Sequence, residues 1–376
     1  MFISKPDELE SFCDRARSSK VLAVDTEFLR ERTYRPRLCL LQLATADEIA
    51  AVDPLAMDDL SCVSALLTDT SITKVLHACS QDLEVLDGTL DVVPDPVFDT
   101  QLAAAFLGQR MQLGYGALVE AYTGVHLAKA ESLTDWSRRP LDPEQLQYAE
   151  DDVRYLPGIY ERMMGELVER NRLSWLEPEM VDLCDPSHYR HDPREAYRHL
   201  KRVTSLTRKQ LAVAREVCAW REEAASRRDI PRKWVISDEI ALEVSKRAPT
   251  DPVRLRRIRG AEQVSEREAD AIVLAVRRGL SCKPDELPKV TKKPRPSADL
   301  DSVIDLMNAM LRVISEREGV ACQLIATRDD LRSFALDRSS SRLSQSWRKQ
   351  LVGDELDSLL SGKVGLTVKD GRIEML

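Results

Sequence analysis

Residues 21–27, Val-Leu-Ala-Val-Asp-Thr-Glu, constrain the chain more than any other stretch. Four apolar residues run without a break into two carboxylates, Asp25 and Glu27. A run of this kind suits a strand covered on both faces better than a half-exposed one. Side chains two apart on a strand share a face. Asp25 and Glu27 are therefore expected to project together from the end of a buried element. Carboxylates held that close repel unless something positive lies between them, and a divalent metal is the usual answer. For an isolated Asp-x-Glu the plainer alternative is a strand that ends in a charged turn.

The 376 residues are enough for two or three domains. No stretch approaches the roughly 18 apolar residues of a membrane span, and the first residues lack the basic start and apolar core of a signal peptide. No membrane partner is expected. The eight cysteines are scattered without a Cys-x-x-Cys, and they do not combine with the five histidines into a four-ligand pattern. That pattern argues against a zinc site and predicts reduced thiols in a cytoplasmic protein. The net charge of -8 conceals an asymmetry: residues 201–298 hold 24 Lys and Arg against 14 Asp and Glu, so the remainder is strongly acidic. Such a division suits an enzyme that holds metal in one region and a polyanion in another.

In chain order, residues 7–19 have helical spacing, and three apolar runs (20–25, 38–44 and 49–52) predict an antiparallel start to a sheet. Arg30, Arg32, Arg35 and Arg37 in the first connection suit phosphate contact or a solvated turn. Beyond residue 57 helix and strand alternate. A helix is expected from Ser80, as N-cap, with Asp82 in its first turn; an acid there also serves the helix dipole. Residues 127–140 read as a structured loop with Lys129, Trp136 and Arg139. That mixture suits a nucleic-acid strand, since a base stacks on an aromatic while cations hold phosphates; Trp136 is equally suited to a core. Asp142-Pro143 then opens a helix on which Tyr148 and Asp152 are four apart and share a face.

With these residues in hand, the chain resembles the DEDD family of 3′-to-5′ exonucleases and, within its tyrosine branch, the bacterial ribonuclease D family. Asp25-Thr-Glu27 looks like the first family motif, His77-Ala-Cys-Ser-Gln-Asp82-Leu the second, and Tyr148-Ala-Glu-Asp-Asp152 the third in its Tyr-x-x-x-Asp form. The connections Arg32-Thr-Tyr-Arg-Pro-Arg-Leu, Phe98-Asp-Thr-Gln, Ser132-Leu-Thr-Asp-Trp and Arg139-Pro-Leu look like ribonuclease D as well. The resemblance implies a ribonuclease H-like α/β domain, a mixed sheet flanked by helices. It implies two divalent ions, Mg2+ or Mn2+, held by Asp25, Glu27, Asp82 and Asp152, with Tyr148 positioning the attacking water. Only Asp152 keeps the family spacing, which leaves Asp151 exposed or behind the site. Hard cations prefer such all-oxygen sites. The implied reaction releases nucleoside 5′-monophosphates from RNA 3′ ends, transfer-RNA precursors and other structured RNA with 3′ trailers being the expected substrates. A DNA exonuclease of the same fold and an inactive RNA-binding protein are the alternatives.

The second half reads as helical. Residues 206–282, with Trp220-Arg221, Ile230-Pro231, Pro249 and Ile258-Arg-Gly260, resemble the module called HRDC that RecQ-type helicases share with ribonuclease D. The resemblance implies RNA binding there, and Arg254, Arg256, Arg257 and Arg259 are its candidate contacts; a solvated charged face is the alternative. The expected organisation is an exonuclease domain at 1–175, a connecting segment at 176–205, the HRDC domain at 206–282, a proline-rich linker at 283–298, and a second, divergent HRDC-like domain at 299–376. Asp370-Gly371 between short apolar runs predicts a terminal hairpin. A monomer is expected, because two helical modules on one chain could surround an RNA without a ring.

Overall fold

A computed structural model of the chain describes residues 1–127, 134–289 and 298–376. The first part runs β1 (Phe2–Ile3), α1 (Pro6–Ala16), β2 (Val21–Leu29), β3 (Arg37–Ala44), β4 (Ile49–Val52), α2 (Ser61–Leu67), β5 (Thr73–Leu76), α3 (Ser80–Leu90), β6 (Val97–Asp99), α4 (Thr100–Phe106), α5 (Tyr115–Thr123), α6 (Pro143–Arg154), α7 (Leu156–Glu169) and α8 (Leu173–Leu183). Helices α9 (Arg208–Arg228), α10 (Arg232–Val235), α11 (Asp238–Arg247), α12 (Pro252–Arg256) and α13 (Glu266–Leu280) follow. The chain closes with α14 (Ala298–Glu318), α15 (Cys322–Ile325), α16 (Arg328–Leu336), α17 (Ser346–Arg348), α18 (Asp354–Leu360), β7 (Leu366–Lys369) and β8 (Arg372–Met375).

Among the described residues the main sheet has six strands in the order β1-β4-β3-β2-β5-β6. It is mixed, as expected: β3 and β4 pair antiparallel, whereas β1 pairs parallel with β4, β2 with β5, and β5 with β6. The central strands are apolar because helices cover both faces, and Leu22, Ala23 and Val24 are fully buried. One expectation changes. Strand β2 does not stop at residue 25 but continues to Leu29, so Asp25 and Glu27 lie within the strand and inherit its rigidity.

The described residues form two compact units. One comprises residues 1–27, 38–185 and the segment from 298 onward, the other residues 28–37 and 186–289. In the first unit a single apolar core joins Ala23, Val75, Phe106 and Ile159 with Met307, Ile314, Phe334 and Trp347 of the C-terminal segment. That segment, expected as a domain of its own, therefore shares the core of the sheet domain. The first part of the segment at 176–205, expected as a connection, belongs instead to helix α8, which supplies the contact. Trp175 of α8 stacks on Trp347 at 5.8 Å, and Phe106 meets the same indole edge-on at 5.1 Å. Glu179 of α8 accepts two hydrogen bonds from the buried Arg348 and one from the Trp347 indole. The terminal hairpin is present: β7 and β8 pair antiparallel around Asp370 and Gly371, both at positive φ, the conformation that a two-residue type I′ turn requires.

The second unit is built around α9, which is buried on several sides. Capping boxes start α9 (Thr207 with Gln210) and α13 (Ser265 with Glu268). Helix α13 comes so close to α9 that a Cβ on Gly279 would lie 2.5 Å from the Val213 Cα. Tyr197, from a short 3-10 turn at Pro193–His199, is buried in the core with Val213, Val217 and Val276. No helix among the described residues is long and apolar enough to cross a membrane.

The arginine of the C-terminal contact is 7% exposed, so losing its partner strands a charge away from water. Glu179→Ala is expected to destabilise the first unit by about 3–5 kcal/mol, whereas Glu179→Gln, which keeps an acceptor, should cost less. Denaturant unfolding of the three proteins checks this.

Candidate active site

Strand β2 presents Asp25 and Glu27 on one face, and α6 lays Tyr148 and Asp152 across them. One oxygen each from Asp25, Glu27 and Asp152 lies within 4.8 Å of the others. Helix α6 is placed there by its own start and its supports. Asp142 and Gln145 form a capping box behind Pro143. The Tyr115 hydroxyl donates to the Asp151 carbonyl at 2.8 Å. His77, with its ring 5.6 Å from that of Tyr115, bridges Thr100 Oγ1 and the Leu113 carbonyl, both at 2.9 Å.

Asp82 arrives from α3 and is 8% exposed. It stands beside the cluster rather than in the tight group: its Oδ1 accepts the Thr26 hydroxyl at 2.5 Å. Among the neighbouring charges it acts most strongly on Asp25. The start of α3 differs from expectation. Helix α3 begins at Ser80 after Cys79, with no side-chain cap of its own. The buried Asp99 instead holds the backbone just ahead of that helix, accepting from the amides of Ala78 (3.2 Å) and Cys79 (2.9 Å) while capping α4 through Gln101 and Leu102. One carboxylate thus fixes two helix starts, and with them the position of Asp82.

The electrostatics follow from burial and crowding. Desolvation, then the charges of Asp82, Asp152 and Glu27, hold Asp25 well above the ordinary carboxylate range. Burial first, then Asp152 and Asp82, push Glu27 up to about 8. Asp152 rises to about 7, with burial the largest cause and its hydrogen bond from Tyr148 opposing it. Asp82 rises to about 6, again chiefly by burial and against the Thr26 bond. The Tyr148 phenol is raised too, by burial and then by Asp152, Glu27 and Asp25. These oxygens bear charge only at a cost, and a hard divalent cation relieves that cost without soft ligands. The donor set fits such an ion.

Other expected contacts are redirected. Trp136 is 2% exposed and packs 5.9 Å from the Tyr148 ring. It is therefore a support beneath that tyrosine and offers no face to a base. Arg139 does not reach outward: it grips the buried Asp53 with two bonds of 2.7 Å and donates to the carbonyls of Cys39, Trp136 and Arg138. A guanidinium so occupied clamps the loop to the sheet. Lys129 lies outside the described residues. Asp151 pairs with Arg154 and Gln147, each at 3.0 Å, and is not in the oxygen cluster. In the second unit Arg254, Arg257 and Arg259 are exposed and Arg256 half-buried, and Arg254 pairs with Asp251 at 3.2 Å. Thr26, Asp99 and Tyr115 were not singled out from the sequence. Two signals were available: Thr26 is a hydroxyl between two candidate carboxylates, and Asp99 stands directly before an apolar helix as an N-cap residue.

Fold and acid cluster together define a class, the 3′-to-5′ exonucleases: residues 1–168 match the family model described as 3′-5′ exonuclease, and residues 210–275 match the HRDC domain. Ribonuclease D of Nitrobacter hamburgensis is 40% identical over 99% of this chain and 98% of its own. That of Granulibacter bethesdensis is 38% identical over 100% and 96%. The crystal structure of Escherichia coli RNase D, described as an exoribonuclease involved in structured RNA processing, superposes with a TM-score of 0.84 at 30% identity, covering 96% of this chain and 98% of that one. The chain belongs to the ribonuclease D family of 3′-to-5′ exoribonucleases.

Raised carboxylates bind protons more tightly folded than unfolded, so the stability they confer is present at low pH and is lost as pH rises through their folded values. Metal-free protein should lose thermal stability from about pH 4 upward, with the loss still in progress near pH 8, where Glu27 titrates. Mg2+ or Mn2+ should raise the melting temperature more at pH 8 than at pH 5, and Asp25→Asn should flatten both trends. Thermal unfolding with chelator and with each ion reads this directly.

Proposed function

We propose that Asp25, Glu27, Asp82 and Asp152 hold two divalent ions, Mg2+ or Mn2+, and that the enzyme removes nucleoside 5′-monophosphates one at a time from the 3′ ends of structured RNA, transfer-RNA precursors among them. The observation that carries the reading is the convergence of the Asp25, Glu27 and Asp152 oxygens within 4.8 Å, with the Tyr148 hydroxyl bonded to Asp152. Once bound, the ions would supply a water acidic enough to attack at neutral pH and charge to stabilise the leaving 3′ oxygen.

The chain's own groups do the rest. The carboxylates, fixed on a strand and two helices, set where a phosphodiester can lie. Tyr148 stays a neutral phenol because its pKa is raised. It therefore orients the attacking water through a hydrogen bond and does not take its proton in bulk. Trp136 beneath the ring keeps the hydroxyl in place. Asp82, tethered by Thr26 through one oxygen, would offer the other to a cation. The exposed arginines of 254–259 are offered as RNA contacts in the second unit. The family relationship and the structured-RNA activity described for the Escherichia coli enzyme support RNA as the substrate.

The test is a gel assay on a 5′-labelled transfer-RNA precursor with a 3′ trailer, run with Mg2+, with chelator, and beside a matching DNA strand. Stepwise shortening of the RNA that stops with chelator or with Asp25→Ala is the expected result. Tyr148→Phe should slow trimming on the order of 10²-fold with little change in metal-induced stabilisation. RNA bound but left intact with either ion would overturn the reading, and faster trimming of the DNA would reassign the substrate.

A further inference from the structure

We propose that Trp234, with its neighbour Lys233, forms a stacking platform for an unpaired base of the RNA. The proposal rests on RNA being the substrate, and its test separates the two.

Trp234 is 53% exposed, whereas Trp136, Trp347 and Trp220 are buried and Trp175 is partly covered by Trp347. A single exposed aliphatic residue would need no explanation. An indole is different, being a large, flat, polarisable surface that proteins rarely leave open without a partner. Trp234 takes part in none of the ring–ring or cation–ring contacts found among the described residues.

Its backbone is held in place. Pro231 is the N-cap of helix α10, and the Trp234 amide donates to the Pro231 carbonyl at 2.8 Å. Arg232 anchors the turn to the buried Glu222 at 3.3 Å. Glu222 also accepts the Tyr34 hydroxyl at 2.9 Å, and Asp229 accepts the Tyr34 amide at 3.1 Å. Asp238, just beyond the turn, pairs with Arg221 at 2.7 Å. Glu222, Asp229 and Asp238 are thus each engaged with a donor of the protein itself. Lys233 is exposed and pairs with no carboxylate among the described residues. An open ring beside an exposed lysine, with the neighbouring acids Glu222, Asp229 and Asp238 already engaged, complements a single-stranded polyanion: the ring takes a base face and the lysine takes a phosphate. A duplex, whose bases are stacked on one another, has no free face to offer.

The experiment uses the full chain with chelator present to stop trimming, and a fluorescein-labelled single-stranded RNA trailer as probe. Tryptophan emission and fluorescein anisotropy are read together, and KM for trimming is measured in Mg2+. The wild type should show RNA-dependent quenching that blunt duplex RNA does not produce. Trp234→Ala should lose that quenching, weaken single-strand binding roughly 5- to 150-fold and raise KM. Trp234→Phe should recover most of the affinity, which a folding defect would not allow, and Lys233→Ala should lower the salt dependence by about one phosphate contact. If Trp234→Ala binds and quenches as the wild type does while trimming RNA normally, the platform is refuted and the exoribonuclease reading stands. Equal quenching by duplex RNA would also refute it. A wild type that neither binds nor trims RNA would overturn both.

Discussion

Repulsion among Asp25, Glu27, Asp82 and Asp152 is the constraint that the first unit is built to withstand. At the spacing seen here, a pair of like charges costs about 3 kcal/mol even at an effective dielectric constant of 20, and burial adds to it. Left to relax, such side chains would swing apart. They do not, because each is borne by a rigid element fixed from elsewhere. Asp25 and Glu27 sit inside a central strand. Asp82 rides on a helix whose start is set by Asp99 and whose carboxylate is tied by Thr26. Asp152 rides on a helix braced by Tyr115 and by the capping box. Preorganisation of this kind holds the charges together at one point, and it explains why so many side chains around the cluster serve only to brace the elements that carry it.

The loop at 134–140 shows the same logic. Its tryptophan and its arginine look, as residue types, like surface contacts for a nucleic acid. Both turn inward. The arginine binds a buried aspartate and three carbonyls, and the tryptophan supports the tyrosine that lies over the acids. The C-terminal segment is likewise drawn in. Glu179, Arg348 and Trp347 join it to α8, so the sheet domain and the last helices share one apolar core. The second unit keeps its own core around α9.

Much of the site was legible before any fold was known. Period-two alternation puts Asp25 and Glu27 on one face of a strand, and period 3.6 puts Tyr148 and Asp152 on one face of a helix. Asp370-Gly371 announced its hairpin for the same reason, since a two-residue turn with positive φ admits few residue pairs. What escaped were positions whose function depends on distant partners. Asp99 caps the helix that follows it, as a local reading allows, but its second set of amides comes from residues 78 and 79. Thr26 acquires meaning only when Asp82, 56 residues away, reaches it.

Sequence by itself therefore determined the two local faces of acids, the alternating α/β order of the first half, the helical character of the second and the terminal turn. Each follows from short-range geometry, with residues a few places apart held in fixed relation by one element's own period. Tertiary structure alone decided that the two acidic faces meet, that Asp82 stands beside the tight group under tether, that Trp136 and Arg139 turn inward, and that the last segment shares the first core. Those outcomes depend on which surfaces are covered when remote segments pack. Burial also governs the carboxylates themselves, which would titrate as ordinary acids in the unfolded chain and are raised only where the fold takes them out of water.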